Sequence, residues 1–158
     1  MSVTINTTIN GKAVSASAEA STSLLEFLRD TLEMKGSKLC CNTGECGACT
    51  VIYNGKPINT CVTMAADANG AQIITIEGLA DGDKLHPVQQ AFIDTGAVQC
   101  GYCTPGFIMS VKALLDRTTK PTPADIEEAV SGNICRCTGY NKIVDAIHLA
   151  ADRIAGRA

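Results

Sequence analysis

The sequence predicts an α+β chain of two small domains, a sheet around one helix followed by a bundle of four short helices. In the first half, apolar and polar residues alternate in short runs around Asn-Gly turns, a pattern typical of strands joined as hairpins. In the second half, apolar residues recur at helical spacing between Pro and Gly residues. Residues 78–83 between the halves are polar and flexible and lack periodicity. We therefore predict domains at 1–77 and 84–158, joined by this linker.

The first domain is predicted to contain five strands and one helix. Ser23 and Glu26 form a capping-box pattern ahead of apolar residues at helical spacing, which predicts a helix over 23–33 that ends near Gly36. Asn10-Gly11 and Asn54-Gly55 supply the two tight turns. The strands are expected at 3–9, 13–15, 50–53, 58–61 and 72–76. This order describes a sheet that clasps one helix.

The second domain is predicted to contain four helices, at 88–95, 106–117, 124–130 and 142–154. Proline stands at or just before the start of the first three, where its missing N–H costs nothing. The second of these helices has a broad apolar face, which we assign to the core of the bundle. Its members are Phe107, Ile108, Val111, Leu114 and Leu115.

Composition excludes several classes of function. The chain has 158 residues and a net charge of −3, without a basic stripe, so nucleic acid is not an expected partner. No apolar run approaches the roughly 20 residues that a membrane span needs. Nine cysteines without a secretory signal favour thiolates on metal over a disulfide framework. We therefore expect a soluble protein in the cytoplasm.

One cysteine motif carries the clearest chemical signal. Cys41, Cys46 and Cys49 have the spacing C-x4-C-x2-C, and Cys61 follows. This spacing is that of a plant-type [2Fe–2S] centre, whose irons prefer soft thiolate ligands. Gly44 and Gly47 allow positive φ in the loop, so that backbone N–H groups can point at the cluster. We predict a [2Fe–2S] cluster on these four cysteines.

A second set of four cysteines lies in two loops between the predicted helices. Cys100 and Cys103 form C-x2-C, Cys135 and Cys137 form C-x-C, and each pair is followed by a helix N-terminus. The positive end of a helix favours the negative charge of a cluster. Four thiolates also satisfy a structural zinc ion, which stays the alternative here, although C-x-C fits zinc-ribbon spacing poorly.

Cys40 is the one cysteine left over. The x4 spacing to Cys46 selects Cys41 as the ligand, and adjacent side chains in an extended loop point in opposite directions. We expect Cys40 to be a small buried hydrophobe and not a functional thiol. His86, at a predicted helix start, and His148 are expected to be structural or exposed to solvent.

Three motifs together give the chain a resemblance to a known family. It closely resembles the small iron–sulfur subunit of the xanthine oxidase family of molybdenum hydroxylases, over nearly its whole length. The motifs are Cys41-Asn42-Thr43-Gly44-Glu45-Cys46-Gly47-Ala48-Cys49-Thr50-Val51, Gln99-Cys100-Gly101-Tyr102-Cys103-Thr104-Pro105-Gly106 and Asn133-Ile134-Cys135-Arg136-Cys137-Thr138-Gly139-Tyr140. The resemblance implies an N-terminal β-grasp, ferredoxin-like domain, a C-terminal four-helix domain and one [2Fe–2S] cluster in each.

The resemblance also implies a role for each cysteine set. The first four cysteines would hold an outer cluster that faces a flavin, and the second four an inner cluster buried against a molybdenum subunit. Gln99 and Cys137 would lie beside the pterin of the molybdenum cofactor on that partner chain. An FAD subunit is expected as a further partner, in a heterotrimer or a dimer of heterotrimers. Cys40 departs from the family, which usually has glycine there.

The function implied is electron transfer, with no substrate chemistry on this chain and no catalytic residue. Electrons would pass from the molybdopterin site through the two clusters to FAD or another acceptor. Three alternatives stay open: a reductive relative of the hydroxybenzoyl-CoA reductase type, a stand-alone two-cluster ferredoxin, and a zinc-stapled interaction module.

Overall fold

The computed structural model describes residues 1–157, which form a five-stranded sheet and five helices. The strands are β1 (Ser2–Ile9), β2 (Lys12–Glu19), β3 (Thr50–Tyr53), β4 (Lys56–Asn59) and β5 (Gln72–Ile74). The helices are α1 (Leu24–Glu26, continued by a π-helical turn at Phe27–Thr31), α2 (Pro87–Asp94), α3 (Thr104–Arg117), α4 (Pro123–Val130) and α5 (Asn141–Ile154). Within this range, no helix is both long and apolar enough to cross a membrane.

The sheet has the strand order β2-β1-β5-β3-β4. Its two hairpins are antiparallel, β1 with β2 and β3 with β4, and both turn at the predicted Asn-Gly pairs. β5 lies between the hairpins, parallel to β1 and antiparallel to β3. One face of the sheet packs on α1, where Leu24, Phe27 and Leu28 are fully buried. The prediction of a sheet that clasps one helix is confirmed for this part of the chain.

The first helix differs from the prediction in its second half. Its capping box forms as expected, since Ser23 Oγ accepts from the Glu26 N–H and the Glu26 carboxylate accepts from the Ser23 N–H. From Phe27 onward the turn is wider, and the Leu32 N–H donates to the carbonyl of Phe27, five residues back. Glu33 then has positive φ, which ends the helical path. The helix stops at Thr31, before the predicted end at 33.

Two strands are also shorter or shifted relative to the prediction. β4 covers 56–59 instead of 58–61, because β3 begins at Thr50 and its partner in the register is Asn59. Cys61 therefore lies on a 3-10 turn, Thr60–Val62, and not on a strand. β5 ends at Ile74 and not at 76, and another 3-10 turn follows at Ile76–Gly78.

The four C-terminal helices match the predicted positions within two residues and share one core. All five residues of the predicted apolar face of α3 are buried there. A smaller apolar cluster joins the helices to the sheet, since Met109 and Ala113 on α3 pack with Ile52 on β3. Helix α3 therefore contacts the helical core and the sheet at once.

Candidate metal centres

The nine cysteines are all free within the described residues. Eight of them belong to the two predicted sets. The outer set is Cys41, Cys46, Cys49 and Cys61, and the inner set is Cys100, Cys103, Cys135 and Cys137. The two sets are built differently. Three members of the outer set lie on one loop, whereas the inner set joins two loops that precede helices α3 and α5.

The outer loop directs backbone N–H groups at a sulfur. The N–H groups of Thr43 and Cys46 each donate to Cys41 Sγ at 3.4 Å. Hydrogen bonds from the Thr43 hydroxyl and N–H, together with the Cys46 N–H, lower the pKa of Cys41 to about 5, since they favour the thiolate. Gly44 and Gly47 have φ of +80° and +67°, which gives the loop its tight path.

The remaining outer cysteines lie deeper. Cys49 is buried, and the hydroxyl of Thr60 donates to its carbonyl oxygen at 2.8 Å, which brings the 3-10 turn against the loop. Burial raises the pKa of Cys61 to about 11, helped by the adjacent thiol of Cys49. Burial also raises the pKa of Cys46, whose thiol interacts with that of Cys41. Within the outer set, the thiol of Cys46 interacts with those of Cys41 and of the neighbouring Cys40, and the thiol of Cys61 interacts with that of Cys49.

The inner thiols meet as two pairs, drawn from different loops. The sulfurs of Cys100 and Cys137 are 3.6 Å apart, and both residues are exposed. The neighbouring Cys100 thiol raises the pKa of Cys137. Burial raises the pKa of Cys103 to about 12, and the thiol of Cys135 adds to this effect.

Two side chains contact Cys135, the buried cysteine of the inner set. Burial alone would raise the pKa of Cys135, but the Thr138 hydroxyl and N–H donate to its sulfur at 3.1 and 3.4 Å and lower it overall. The Tyr140 hydroxyl accepts from the Cys135 N–H at 3.0 Å, and its ring meets Phe107 edge-on. Tyr140 has positive φ, which is uncommon for a bulky residue and is found where surrounding contacts hold the backbone.

The number of thiols in each set fits a dinuclear cluster. Four cysteines ligate a [2Fe–2S] cluster, with two on each iron, and each set supplies four thiols. The donor set is soft and sulfur-only, which suits iron–sulfur chemistry. Among residues 1–157, no three Cys, His, Asp or Glu side chains gather as ligands of a single ion.

Comparisons with known proteins identify two [2Fe-2S] domains along the chain. The family model described as a 2Fe-2S iron-sulfur cluster binding domain matches residues 7–73, and the one described as a [2Fe-2S] binding domain matches 75–148. The chain is 50% identical to the nicotinate dehydrogenase small FeS subunit of Eubacterium barkeri, over 97% of this chain and 98% of that one. It is 42% identical to the nicotine 6-hydroxylase small subunit of Paenarthrobacter nicotinovorans, over 98% and 93%.

Solved structures give the same result. The chain matches quinoline 2-oxidoreductase from Pseudomonas putida 86 with a TM-score of 0.92 and 38% identity, over 99% of both chains. The chain is a small [2Fe–2S] subunit of the molybdenum hydroxylase family. As such, it is an electron-transfer component of an oxidoreductase.

Four further residues of this iron–sulfur subunit were singled out in the sequence, and they differ in exposure and in hydrogen bonding. Gln99 is exposed beside Cys100, and its side chain makes no hydrogen bond within the described residues. Cys40 is exposed, so the prediction of a buried hydrophobe is wrong: its thiol lies near that of Cys46, at the edge of a cavity lined by inner cysteines. His86 is structural, since its Nδ1 accepts from the Val88 N–H and caps α2. His148 is exposed.

Sequence reasoning missed the residues that join the two sets. The Asn133 side chain donates to the carbonyl of Gly47 at 3.1 Å, and the Ile134 N–H donates to that of Cys46 at 3.0 Å. Asn133 is only 4% exposed. An asparagine next to a cysteine motif is a visible signal, but its partner 86 positions away is not.

Proposed function

We propose that the outer set and the inner set each hold one [2Fe–2S] cluster, and that the subunit relays electrons between a molybdopterin-bearing partner and FAD or another acceptor. The ligands would be Cys41, Cys46, Cys49 and Cys61 for one cluster, and Cys100, Cys103, Cys135 and Cys137 for the other. The observation that carries this proposal is that each of the two [2Fe-2S] family matches, at 7–73 and at 75–148, contains one complete set of four cysteines. When bound, the clusters accept and release single electrons.

The protein itself stabilises the thiolate form of the cysteines and shields one side of each cluster from water. Thr43 and Thr138 donate hydrogen bonds to a ligand sulfur in the outer and inner sets, respectively. Such bonds stabilise the charged form of the ligand, and they help to set cluster potentials. Cys49 and Cys135 are buried, so each cluster would be held on one side by the protein core.

We propose that the surface around the exposed inner cysteines docks on the molybdenum subunit. Cys100, Cys137 and Gln99 are exposed together. Large apolar side chains beside them are exposed as well, which is typical of a surface covered in a complex. These are Leu39, Val98, Tyr102 and Ile134. Gln99 and Cys137 would lie next to the pterin, where the Gln99 amide can both donate and accept hydrogen bonds.

We propose the finer fold assignment as a β-grasp domain at 1–77 and a four-helix domain at 84–158, with a linker at 78–83. Its support is the separation of the buried residues into one main cluster on the sheet and another among helices α2 to α5. An FAD chain facing the outer cluster completes the proposed complex. We place it in the cytoplasm, since nine free cysteines persist best in a reducing compartment.

Purification of the complex through a tag on this chain tests the proposal. We expect a larger chain with molybdenum to copurify, together with iron and acid-labile sulfide in equal amounts and no zinc. Iron and sulfide on an isolated chain would instead indicate a stand-alone ferredoxin. Zinc without sulfide would indicate the metal-stapled module and would rule out the relay.

A further inference from the structure

The two ligand loops are bonded directly to each other. The Ile134 N–H, next to Cys135 of the inner set, donates to the carbonyl of Cys46 in the outer set at 3.0 Å. One residue away, Asn133 Nδ2 donates to the carbonyl of Gly47 at 3.1 Å. Two adjacent residues of one loop therefore hold two adjacent residues of the other.

The outer loop is packed so closely that glycine is required at Gly47 and at Gly106 in the first turn of α3. A Cβ on Gly47 would lie 2.3 Å from Asn133 Nδ2, and a Cβ on Gly106 would lie 2.0 Å from the Gly47 carbonyl oxygen. Both distances are far below any real contact between these atoms. The outer loop is thus clasped between Asn133 and the first turn of α3, which begins directly after Cys103.

Asn133 is itself firmly held. Its backbone N–H donates to the carbonyl of Val130 at the end of α4, at 2.9 Å, and its side chain is buried. A buried amide that met no acceptor would cost free energy, so the bond to Gly47 is an obligatory contact and not a passing one. This bond ties the helical part of the chain to the outer cysteine loop.

We infer that Asn133 is a positioning residue that fixes the outer ligand loop against the inner one, and so sets the spacing and orientation of the two metal centres. The inference rests on the proposed function, because it assumes that both sets carry a cluster. Within the described residues, the Asn133 side chain bonds to a backbone carbonyl and makes no hydrogen bond to a thiol of either set. Its effect is therefore expected on the relation between the centres and not on their assembly.

Asn133→Asp tests this inference in the complete complex, since it keeps the side-chain volume and removes the donor to Gly47. Asn133→Ser is a second variant, with a small polar side chain that water can solvate if the aspartate prevents folding. The matched control is Thr7→Val. Thr7 is also a buried side chain that donates to a backbone carbonyl, that of Ala71 at 2.9 Å, but it lies in the sheet away from the cysteines.

Three measurements separate positioning from general stability: iron and sulfide content, hydrogen exchange of the Ile134 amide, and the mutual splitting of the EPR signals when both clusters are reduced. We expect the Asn133 variants to keep both clusters, to exchange the Ile134 amide at least about tenfold faster, and to show altered splitting. Thr7→Val should lower thermal stability and leave exchange and splitting unchanged.

The inference would be overturned if either folded Asn133 variant kept the wild-type exchange rate of the Ile134 amide and the wild-type splitting of the EPR signals. A wild-type complex without two clusters would instead overturn the proposed function, and iron and sulfide analysis distinguishes the two failures.

Discussion

The outer and inner cysteine sets each offer four thiols, but the chain brings these thiols together in two different ways. The outer set is mostly local: three cysteines share one loop, and the same loop donates the N–H groups that lower the pKa of Cys41 to about 5. The inner set exists only when two distant loops meet, and burial raises the pKa of Cys103 to about 12. A short sequence can therefore prepare one site, whereas the other depends on the packing of helices.

Loss of one ligand should give the largest effect and should separate the two sets. We expect Cys46→Ser to remove the outer cluster and Cys103→Ser to remove the inner one, each with half of the iron and sulfide. Cys40→Ser is the matched control, since Cys40 belongs to neither set, and it should retain all the iron. Iron and sulfide analysis with EPR checks this, and loss of a cluster in Cys40→Ser would contradict the ligand assignment.

Alkylation of the iron-free chain should reveal the difference in thiol acidity. Cys41, with a pKa of about 5, is mostly thiolate at pH 7, whereas Cys103, with a pKa of about 12, is almost entirely protonated. We expect iodoacetamide to modify Cys41 roughly 30- to 150-fold faster, as read by mass spectrometry, since the lower nucleophilicity of the Cys41 thiolate offsets part of its larger thiolate fraction. The Cys41 rate should rise as pH increases through about 5 and then level, while the Cys103 rate keeps rising up to pH 9. Equal alkylation rates of Cys41 and Cys103 at pH 7 would show that the loop does not lower the pKa of Cys41.

Crowding the contact between the sets should destabilise the whole chain. In Gly106→Ala, the new methyl group would lie 2.0 Å from the Gly47 carbonyl oxygen. We expect the free energy of unfolding to fall by about 1–3 kcal/mol, the usual cost of overpacking. Gly132→Ala is the control, since a Cβ there meets no atom within 4 Å. Denaturant titration of both variants measures the difference, and equal stabilities would argue against the close contact.

Removing the threonine hydroxyl beside each cysteine set should give the smallest effect. The Thr138 hydroxyl donates to Cys135 Sγ at 3.1 Å, and the Thr43 hydroxyl is among the groups that lower the pKa of Cys41. Such a bond favours the more negative, reduced cluster, so its loss lowers the potential. We expect Thr43→Val to lower only the outer potential and Thr138→Val only the inner one, by roughly 20–60 mV. Redox titration followed by EPR checks this, and a shift of both potentials in one variant would contradict the separation of the sets.

The sequence allowed much of the fold to be predicted where local rules decide the structure. The Asn-Gly turns, the Ser23–Glu26 capping box and the prolines at helix starts all lie where predicted. Long-range packing explains the differences. Because Thr50 of β3 pairs with Asn59, β4 ends at Asn59 and Cys61 lies on a 3-10 turn. The residue types at 58–61 do not by themselves predict this end of the strand.

The same division holds for the metal centres. Spacing alone selected the two sets of cysteines, because ligand spacing reflects the covalent reach of a loop. Spacing could not show that Cys40 is exposed near Cys46, or that Asn133 bonds to Gly47. The position of Cys40 depends on the path of its own loop, whereas the bond of Asn133 depends on how the helices place one loop on the other, and a residue pair 86 positions apart leaves no local pattern.

EPR of the reduced complex, purified with its partner chains and combined with iron and sulfide analysis, tests the central claim most directly. Two distinct [2Fe–2S] signals of equal integrated intensity are expected, one for each set. A single cluster signal, or iron-free protein that contains zinc, would contradict the assignment of one cluster to each set.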